Sequence, residues 1–441
     1  MRPDTALAAA LADAMLSGPW TAGGLVTSTS ATLGRSRGRP RWLRALAAEV
    51  LTGYPHPPAD RPRELAAFLL NTTTLRRALA RPRPPKAVRW TGTPTATVSR
   101  PFPTPRIDHV QDLADLLDVT VDGLVLLADP HHKARRATPR QIANYRYVWV
   151  HKSSGARLLE VPKVRLKEVQ RNVLDSLLTP VPVHPAAHGF VSGRSARTGA
   201  APHVGAAVVI TVDLEHFFAA ITAGRIWGVL RSAGFPEPVA HLLTGLTTHA
   251  APVAALAAMP AGPDRDRDFR LRRRLARPHL PQGASTSPQL ANLVAFSLDR
   301  RLAAYAAAAG ATYTRYADDL TFSGGPALSR AADRLLATVT SIVRAEGFAL
   351  NPAKTRRRGA HQRQSVTGIV VNDRPNLARP DYDRLRAILH DCAANGPAVA
   401  NRDGHPDLRT HLQGRISWVT SLNPARGDRL RTTFDAIAWD S

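Results

Sequence analysis

Cysteine is all but missing. Cys392 stands alone among 441 residues, so the chain closes no disulfide on itself and builds no multi-thiolate zinc site; a reducing, cytoplasmic setting suits it. Long apolar runs are missing too: no stretch reaches about 18 consecutive apolar residues, so no helix here is expected to span a membrane. The one stretch that could pass for a signal sequence, Thr5–Leu16, is interrupted by Asp13 and preceded only by Arg2. It reads as an amphipathic helix instead. Lysine and acid are scarce. Six lysines stand beside many arginines, and 34 acidic residues face 59 basic ones, for a formal net charge of +25 and a pI near 11.4. GC-rich coding swaps Lys for Arg, but it does not create such an excess of positive charge. The balance asks for a polyanionic partner, nucleic acid first.

One stretch stands out, Thr312-Tyr-Thr-Arg-Tyr316-Ala317-Asp318-Asp319-Leu-Thr-Phe322-Ser-Gly-Gly325. Two β-rich runs flank an Ala-Asp step, which reads as a strand, a tight turn and a returning strand with two acids at the bend. Carboxylates about 4 Å apart repel by roughly 4 kcal/mol at an effective dielectric near 20. A divalent cation between them relieves that repulsion, and Mg²⁺ sites use few protein oxygens, leaving room for phosphates. An exposed turn carries Asp-Asp equally well. Taken alone, the stretch leaves metal site and solvated turn level.

The rest of the chain supplies context. Residues 1 to 105 are rich in Ala, Pro and Arg, with helices expected near Trp42–Leu51 and Arg63–Leu79 and linkers at Arg81–Pro85 and Thr91–Pro105. Ile107–Leu117 and Val121–Leu127 read as two short packed helices, a DNA-reading pair being the less favoured alternative. Tyr145–Pro162 reads as a hairpin with Lys152 and Arg157 near its tip, followed by a helix over Lys163–Leu178. Ala206–Asp213 is a continuous apolar run ending in an acid, as expected of a buried strand delivering a carboxylate at its end. Asp264–Arg277 is a charged segment, and Leu280–Leu293 a Gly/Ser turn entering a helix at Pro288. A helix is expected over Leu328–Val343, a single strand over Ser365–Val371, and helices over Tyr382–Cys392, Leu408–Leu422 and Arg429–Trp439.

In order, these motifs resemble those of reverse transcriptases. Asp213 with Phe218 is similar to the first catalytic-aspartate motif, and Gln282-Gly283 with Ser287-Pro288 and Asn292 to the nucleotide-positioning motif. Tyr316-Ala317-Asp318-Asp319 is similar to the paired-aspartate box, and Gly347-Phe348 with Leu350-Asn351 and Lys354-Thr355 to the lysine motif. Val366-Thr367-Gly368 resembles the Val-Thr-Gly motif of bacterial retron enzymes, and His184–Ser195 also resembles a stretch of those enzymes. Gly199-Ala200-Ala201-Pro202-His203 stands where those enzymes carry Asn-Ala-x-x-His, with Gly199 in place of the Asn.

The resemblance implies an α+β right-hand polymerase fold. Its fingers and palm would take residues 106–372, its helical thumb 373–441, with a small, mostly helical extension at 1–105. It implies Asp213, Asp318 and Asp319 as catalytic metal ligands for two Mg²⁺ ions, which Mn²⁺ can replace. Lys152, Arg157, Phe218, Gln282, Gly283 and Lys354 would contact the deoxynucleoside triphosphate. Arg384, Arg386, Arg409, Arg415, Arg426, Arg429 and Arg431 are expected to bind RNA. The implied partners are a cognate structured non-coding RNA, its covalently linked DNA product and an effector protein, in antiphage defence, with no membrane. Other bacterial reverse transcriptases, of the group II intron or abortive-infection type, are the nearest alternatives. About 70 residues after the last palm strand are too few for a thumb plus an endonuclease or RNase H domain. A non-catalytic RNA-binding protein on the same fold is the third reading, and the full acid set argues against it.

Overall fold

The computed structural model describes residues 3–34, 40–88, 101–130, 143–152 and 155–439. The chain forms two units, Met1–Val181 with Ile221–Ser287, and Pro182–Ala220 with Pro288–Ser441.

The first unit opens with five helices, Pro3–Leu16, Ala22–Thr32, Arg41–Gly53, Pro62–Asn71 and Thr73–Leu79. Leu7, Leu11, Met15, Leu25, Leu43, Leu46, Leu65, Leu69 and Leu75 close a core among them. The single helix expected over Arg63–Leu79 is two. Thr72 adopts an extended conformation, and its hydroxyl accepts a hydrogen bond from the Leu75 amide, starting a second helix with a hydroxyl cap. Ala22–Thr32 was not expected as a helix. Its polar side chains are satisfied within the helix: the Thr29 and Ser30 hydroxyls donate back to the Leu25 and Val26 carbonyls at 2.6 Å each.

This bundle is tied to later helices of the same unit. Arg231, on Ala223–Ser232, pairs with Asp60, and the Arg63 amide donates to Glu237 on helix Glu237–Thr247 at 3.2 Å. Helices Val110–Leu116 and Val121–Ala128 also pack on Glu237–Thr247, burying Leu113, Leu124 and Leu127. They are core helices, as favoured over a DNA reader. The hairpin pairs β1 (Tyr145–Lys152) with β2 (Gly155–Pro162) in register Val150 to Arg157. The charged segment is a helix, Arg265–Leu275, capped by the Asp264 carboxylate on the Arg267 amide.

The second unit is built on a four-stranded antiparallel sheet of order β4-β5-β3-β6: β3 is Val208–Asp213, β4 Ala311–Tyr316, β5 Asp319–Gly324 and β6 Arg356–Gly359. Buried on both sides, β3 is apolar throughout except for Thr211 and its final acid. Helix Phe296–Ala308 packs on β4 and on helix Ala332–Ala345. Ser365–Val371 is not one strand. It doubles back as β7 (Ser365–Val366) and β8 (Ile369–Val370) around Thr367 and Gly368, whose φ values of 49° and 83° make the two-residue turn with both central residues left-handed. Val366, Ile369 and Val371 then pack with Ala200, Val209 and Leu422. Helices Arg379–Asn395, Leu408–Leu422 and Pro424–Asp435 enclose a second core of Leu385, Leu389, Leu412, Ile416, Leu430 and Phe434.

Candidate active site

The sheet register brings the acids together. β3 and β5 run antiparallel with Asp213 opposite Asp319, and directly opposed residues in such a pair sit about 4.5–5.5 Å apart at Cα. Asp318 occupies the turn before β5, where its carbonyl accepts the Leu214 amide at 2.9 Å. Three carboxylates therefore share one end of the sheet. Asp213 is buried. Asp319 is exposed as a residue, yet protein crowds its carboxyl. That desolvation, then the like charges of Asp318 and Asp213, push it up to about 6, with Lys354 acting the other way.

One cation already faces this cluster. The half-exposed Lys354 ammonium donates to Asp213 Oδ2 at 2.6 Å, and Asn351 Nδ2 lies 3.3 Å from Oδ1. The backbone supports both contacts, since the Asn351 amide donates to the Asp213 carbonyl at 2.8 Å.

The turn itself is clamped by side chains of which the sequence reading singled out only Asn292. Ala317 is buried and left-handed, φ 55°, a conformation a non-glycine residue holds only when its surroundings fix it. Arg315, fully buried, forks onto Asp299, with Nε to Oδ1 at 2.8 Å and Nη2 to Oδ2 at 2.6 Å. Its Nη1 donates to Asn292 Oδ1 at 2.9 Å and to the Ala317 carbonyl at 3.1 Å. Asn292 in turn donates to the Gly189 carbonyl at 3.0 Å. Gly189 presses on the same turn: a Cβ there would lie 2.6 Å from the Ala317 amide nitrogen. The signal in the sequence was faint. Tyr313 and Arg315 are two apart on a strand and so share a face, and both reach Asp299.

Comparison with known proteins matches this arrangement to a family. The family pattern of reverse transcriptase (RNA-dependent DNA polymerase) covers residues 150–370. The retron Mx65 reverse transcriptase of Myxococcus xanthus is 42% identical over 327 residues, 73% of this chain and 70% of that protein. The retron Mx162 enzyme of the same organism is 38% identical (73% and 65%), and the retron Ec86 enzyme of Escherichia coli 28% identical (76% and 90%). The chain is a retron-type reverse transcriptase. It therefore belongs to the RNA-directed DNA polymerases, built on the right-hand polymerase fold.

Other features of this reverse transcriptase fall into place around the acids. Phe218 is half-buried beside Phe217, and Phe190, left-handed and 48% exposed, has its ring 6.3 Å from Phe218 and 6.4 Å from Tyr316. His203 is structural. Buried, it bonds Ser323 on β5 through Nδ1 and Thr314 on β4 through Nε2, each at 2.7 Å. Because the Thr314 hydroxyl donates to the Gly199 carbonyl, Nε2 is the donor in its bond to Thr314 and carries a proton. Burial, then His188, hold it down at about 4. At Gly199, where the resemblance places an Asn, a Cβ would come within 3.2 Å of the His188 Cβ, so a larger residue there requires His188 to shift by a few tenths of an ångström.

Four of the expected nucleotide and metal contacts, Asp213, Asp318, Asp319 and Lys354, thus meet in the second unit. In the first unit, the Gln282 carbonyl accepts the Glu160 amide at 2.8 Å. Gly283, at φ 132°, admits no Cβ because the Glu160 carbonyl would be 2.9 Å from it. Arg157 lies on β2, and the side chain of Lys152 lies outside the described residues. The expected RNA contacts lie on the C-terminal helices, several already engaged. Arg384 pairs with Asp403 at 3.7 Å and Arg386 with Asp383 at 3.8 Å. Arg426 stacks on Tyr382, Arg409 faces Trp439 and Arg431 faces Phe434. Arg429 donates to the Ala425 carbonyl, and Arg415 is half-buried.

Reverse transcriptases in general use divalent metal ions. Among the described residues no group of three or more His, Cys, Asp or Glu side chains is arranged to hold one as it stands; Lys354 and Asn351 engage both Asp213 oxygens. The donor set nonetheless fits a hard cation, being all carboxylate oxygen and crowded with like charge.

Proposed function

We propose that this reverse transcriptase copies one structured non-coding RNA into DNA, the RNA serving as both template and primer, so that RNA and DNA end covalently joined. The single observation that carries the chemistry is the convergence of Asp213, Asp318 and Asp319 at one end of β3 and β5. In this reading residues 106–372 are fingers and palm, 373–441 the thumb, and 1–105 an accessory region. Two Mg²⁺ ions, replaceable by Mn²⁺, when bound supply the charge that activates the attacking hydroxyl and stabilises the leaving pyrophosphate. Asp213 and Asp318 would hold both ions and Asp319 would complete the set. Lys354, half-exposed and free to leave Asp213, neutralises or protonates the departing pyrophosphate. Phe218 lies under the sugar and excludes a 2′-hydroxyl, while Lys152 and Arg157 hold the triphosphate and Gln282-Gly283 let the backbone approach the nascent pair. The thumb arginines grip the duplex through its phosphates. A 2′-hydroxyl of the bound RNA acts as primer, in the cytoplasm, and the product serves antiphage defence with an effector protein.

The test has two stages. Purified protein should extend a primed RNA with deoxynucleotides in Mg²⁺, and absence of extension in both Mg²⁺ and Mn²⁺ removes the enzyme reading. Protein purified from its native host in high salt should carry one abundant small RNA joined to DNA through a bond resistant to heat and urea. A mixture of cellular RNAs without linked DNA defeats the self-priming role and leaves the polymerase chemistry standing.

A further inference from the structure

Net positive charge is greater in the first 105 residues than in the C-terminal helices. Residues 373–441 carry 10 basic and 9 acidic residues, a net of +1, whereas residues 1–105 carry 15 basic and 5 acidic, a net of +10. The difference is sharper in the structure. In the C-terminal region Arg379, Arg384, Arg386 and Arg402 all pair with aspartates. Between Thr72 and Val88 there are five basic residues, Arg76, Arg77, Arg81, Arg83 and Lys86, and no acid. All five are exposed, and among the described residues none makes an ion pair or a side-chain hydrogen bond.

Nearby acids are committed elsewhere. Glu49 accepts the Thr74 amide and hydroxyl. Asp60 pairs with Arg231, and Glu64 takes the Tyr54 hydroxyl and Arg61. Arg41 and Arg44, one turn apart on the helix packed against Thr73–Leu79, are exposed and unpaired as well.

The backbone under these charges is fixed. Arg76 and Arg77 stand on a helix whose Leu75 and Ala78 are buried. Pro82, Pro84 and Pro85 lock φ near −65° in the following stretch, and the Val88 amide ties its far end to the Thr32 carbonyl at 2.9 Å. The stretch that reads from sequence as a linker is thus a strap held at both ends. A row of guanidiniums on a rigid strap loses little freedom on meeting a row of phosphates.

We propose that Arg76, Arg77, Arg81, Arg83 and Lys86 form a binding surface for the phosphate backbone of RNA, made of residues other than those of the polymerase site and the thumb. The choice of RNA over other polyanions rests on the reverse transcriptase reading. Each phosphate contact makes log affinity fall by about 0.7–0.9 per decade of salt.

The test is a salt titration of full-length protein binding to a labelled RNA hairpin with single-stranded flanks. It compares wild type with a variant in which all five residues are changed to Gln. The Gln variant should lower the slope of log affinity against log salt by up to about 4, while an Arg→Lys set keeps it. An unchanged slope in the Gln variant overturns the proposal. So does loss of binding to phosphatidylglycerol vesicles with the RNA slope intact, which would make the surface a membrane contact. The slope is read without turnover, so it fails or holds independently of primer extension. Extension of a short preannealed primer–template at saturating concentration should be unaffected, because none of the five is among the residues assigned to the acids or to the nucleotide.

Discussion

The four-stranded sheet carries two sets of polar and charged groups and treats them in opposite ways. On β4 and β5, Arg315 is matched to Asp299, and His203 has a hydroxyl for each nitrogen. At its end, three carboxylates meet one half-exposed lysine. Buried groups with every partner in place hold a shape; like charges gathered without enough countercharge hold a place for a ligand. The contrast separates residues that do chemistry from residues that aim them.

Neutralising one acid should give the largest effect. Asp318→Asn keeps the shape and loses the charge, so primer extension should fall by about 10³-fold or more, with melting temperature unchanged or raised because like-charge repulsion is relieved. Rate retained within tenfold would move the chemistry off this cluster.

Breaking the matched pair comes next. Arg315→Met leaves Asp299 buried and unpaired and should cost about 3–5 kcal/mol of stability. Arg315→Met combined with Asp299→Leu should recover most of that in denaturant unfolding. It should not recover the rate, because the Ala317 carbonyl stays unheld. Recovery of both would reduce the pair to a stability element and erase the distinction drawn above.

His203 sharpens the same contrast through pH. Its folded value, about 4, lies below the ordinary 6.5, so between those values the unfolded chain binds a proton that the folded chain refuses. Its stabilising contribution is complete above pH 6.5 and is lost as pH falls toward 4, by roughly 3 kcal/mol in all. Unfolding at pH 7 and at pH 5 should show a smaller pH penalty in His203→Gln than in wild type; equal penalties would mean the imidazole is not held neutral.

The smallest expected change is in selectivity. Phe218→Ala should admit ribonucleotides, eroding discrimination by about 1–3 kcal/mol, or roughly 10–200-fold. Single-nucleotide incorporation measures it, and unchanged discrimination would shift suspicion to Phe217.

How much of this could be read from the chain alone follows from distance along it. The acids were legible because Asp213 ends one strand and Asp319 begins another, with Asp318 in the turn beside it, and the composition of Val208–Asp213 announces its strand. The clamp was not: Arg315 and Asp299 sit 16 residues apart on a strand and a helix, and nothing local marks an arginine as buried. Helix Ala22–Thr32 was hidden by Gly, Ser and Thr, residues that favour turns until tertiary packing decides. The break at Thr72 and the reversal at Thr367-Gly368 turn on single backbone dihedrals, which periodicity cannot resolve. The emptiness of the N-terminal arginines depended on knowing which acids were already taken.

The position of β3 has a consequence for how the chain is made. It is the one strand of its sheet with partners on both sides that come much later: Asp213 waits for Asp319 on one edge, and Thr211 for Arg356 on the other. At about 5–20 residues per second, a ribosome takes roughly 5 to 30 s to deliver them. For that interval a Val-Val-Ile-Thr-Val segment has two open edges, the kind of template on which other strands assemble. Expression that outpaces this delay should fill the insoluble fraction, and slower, cooler translation should return the protein to solution.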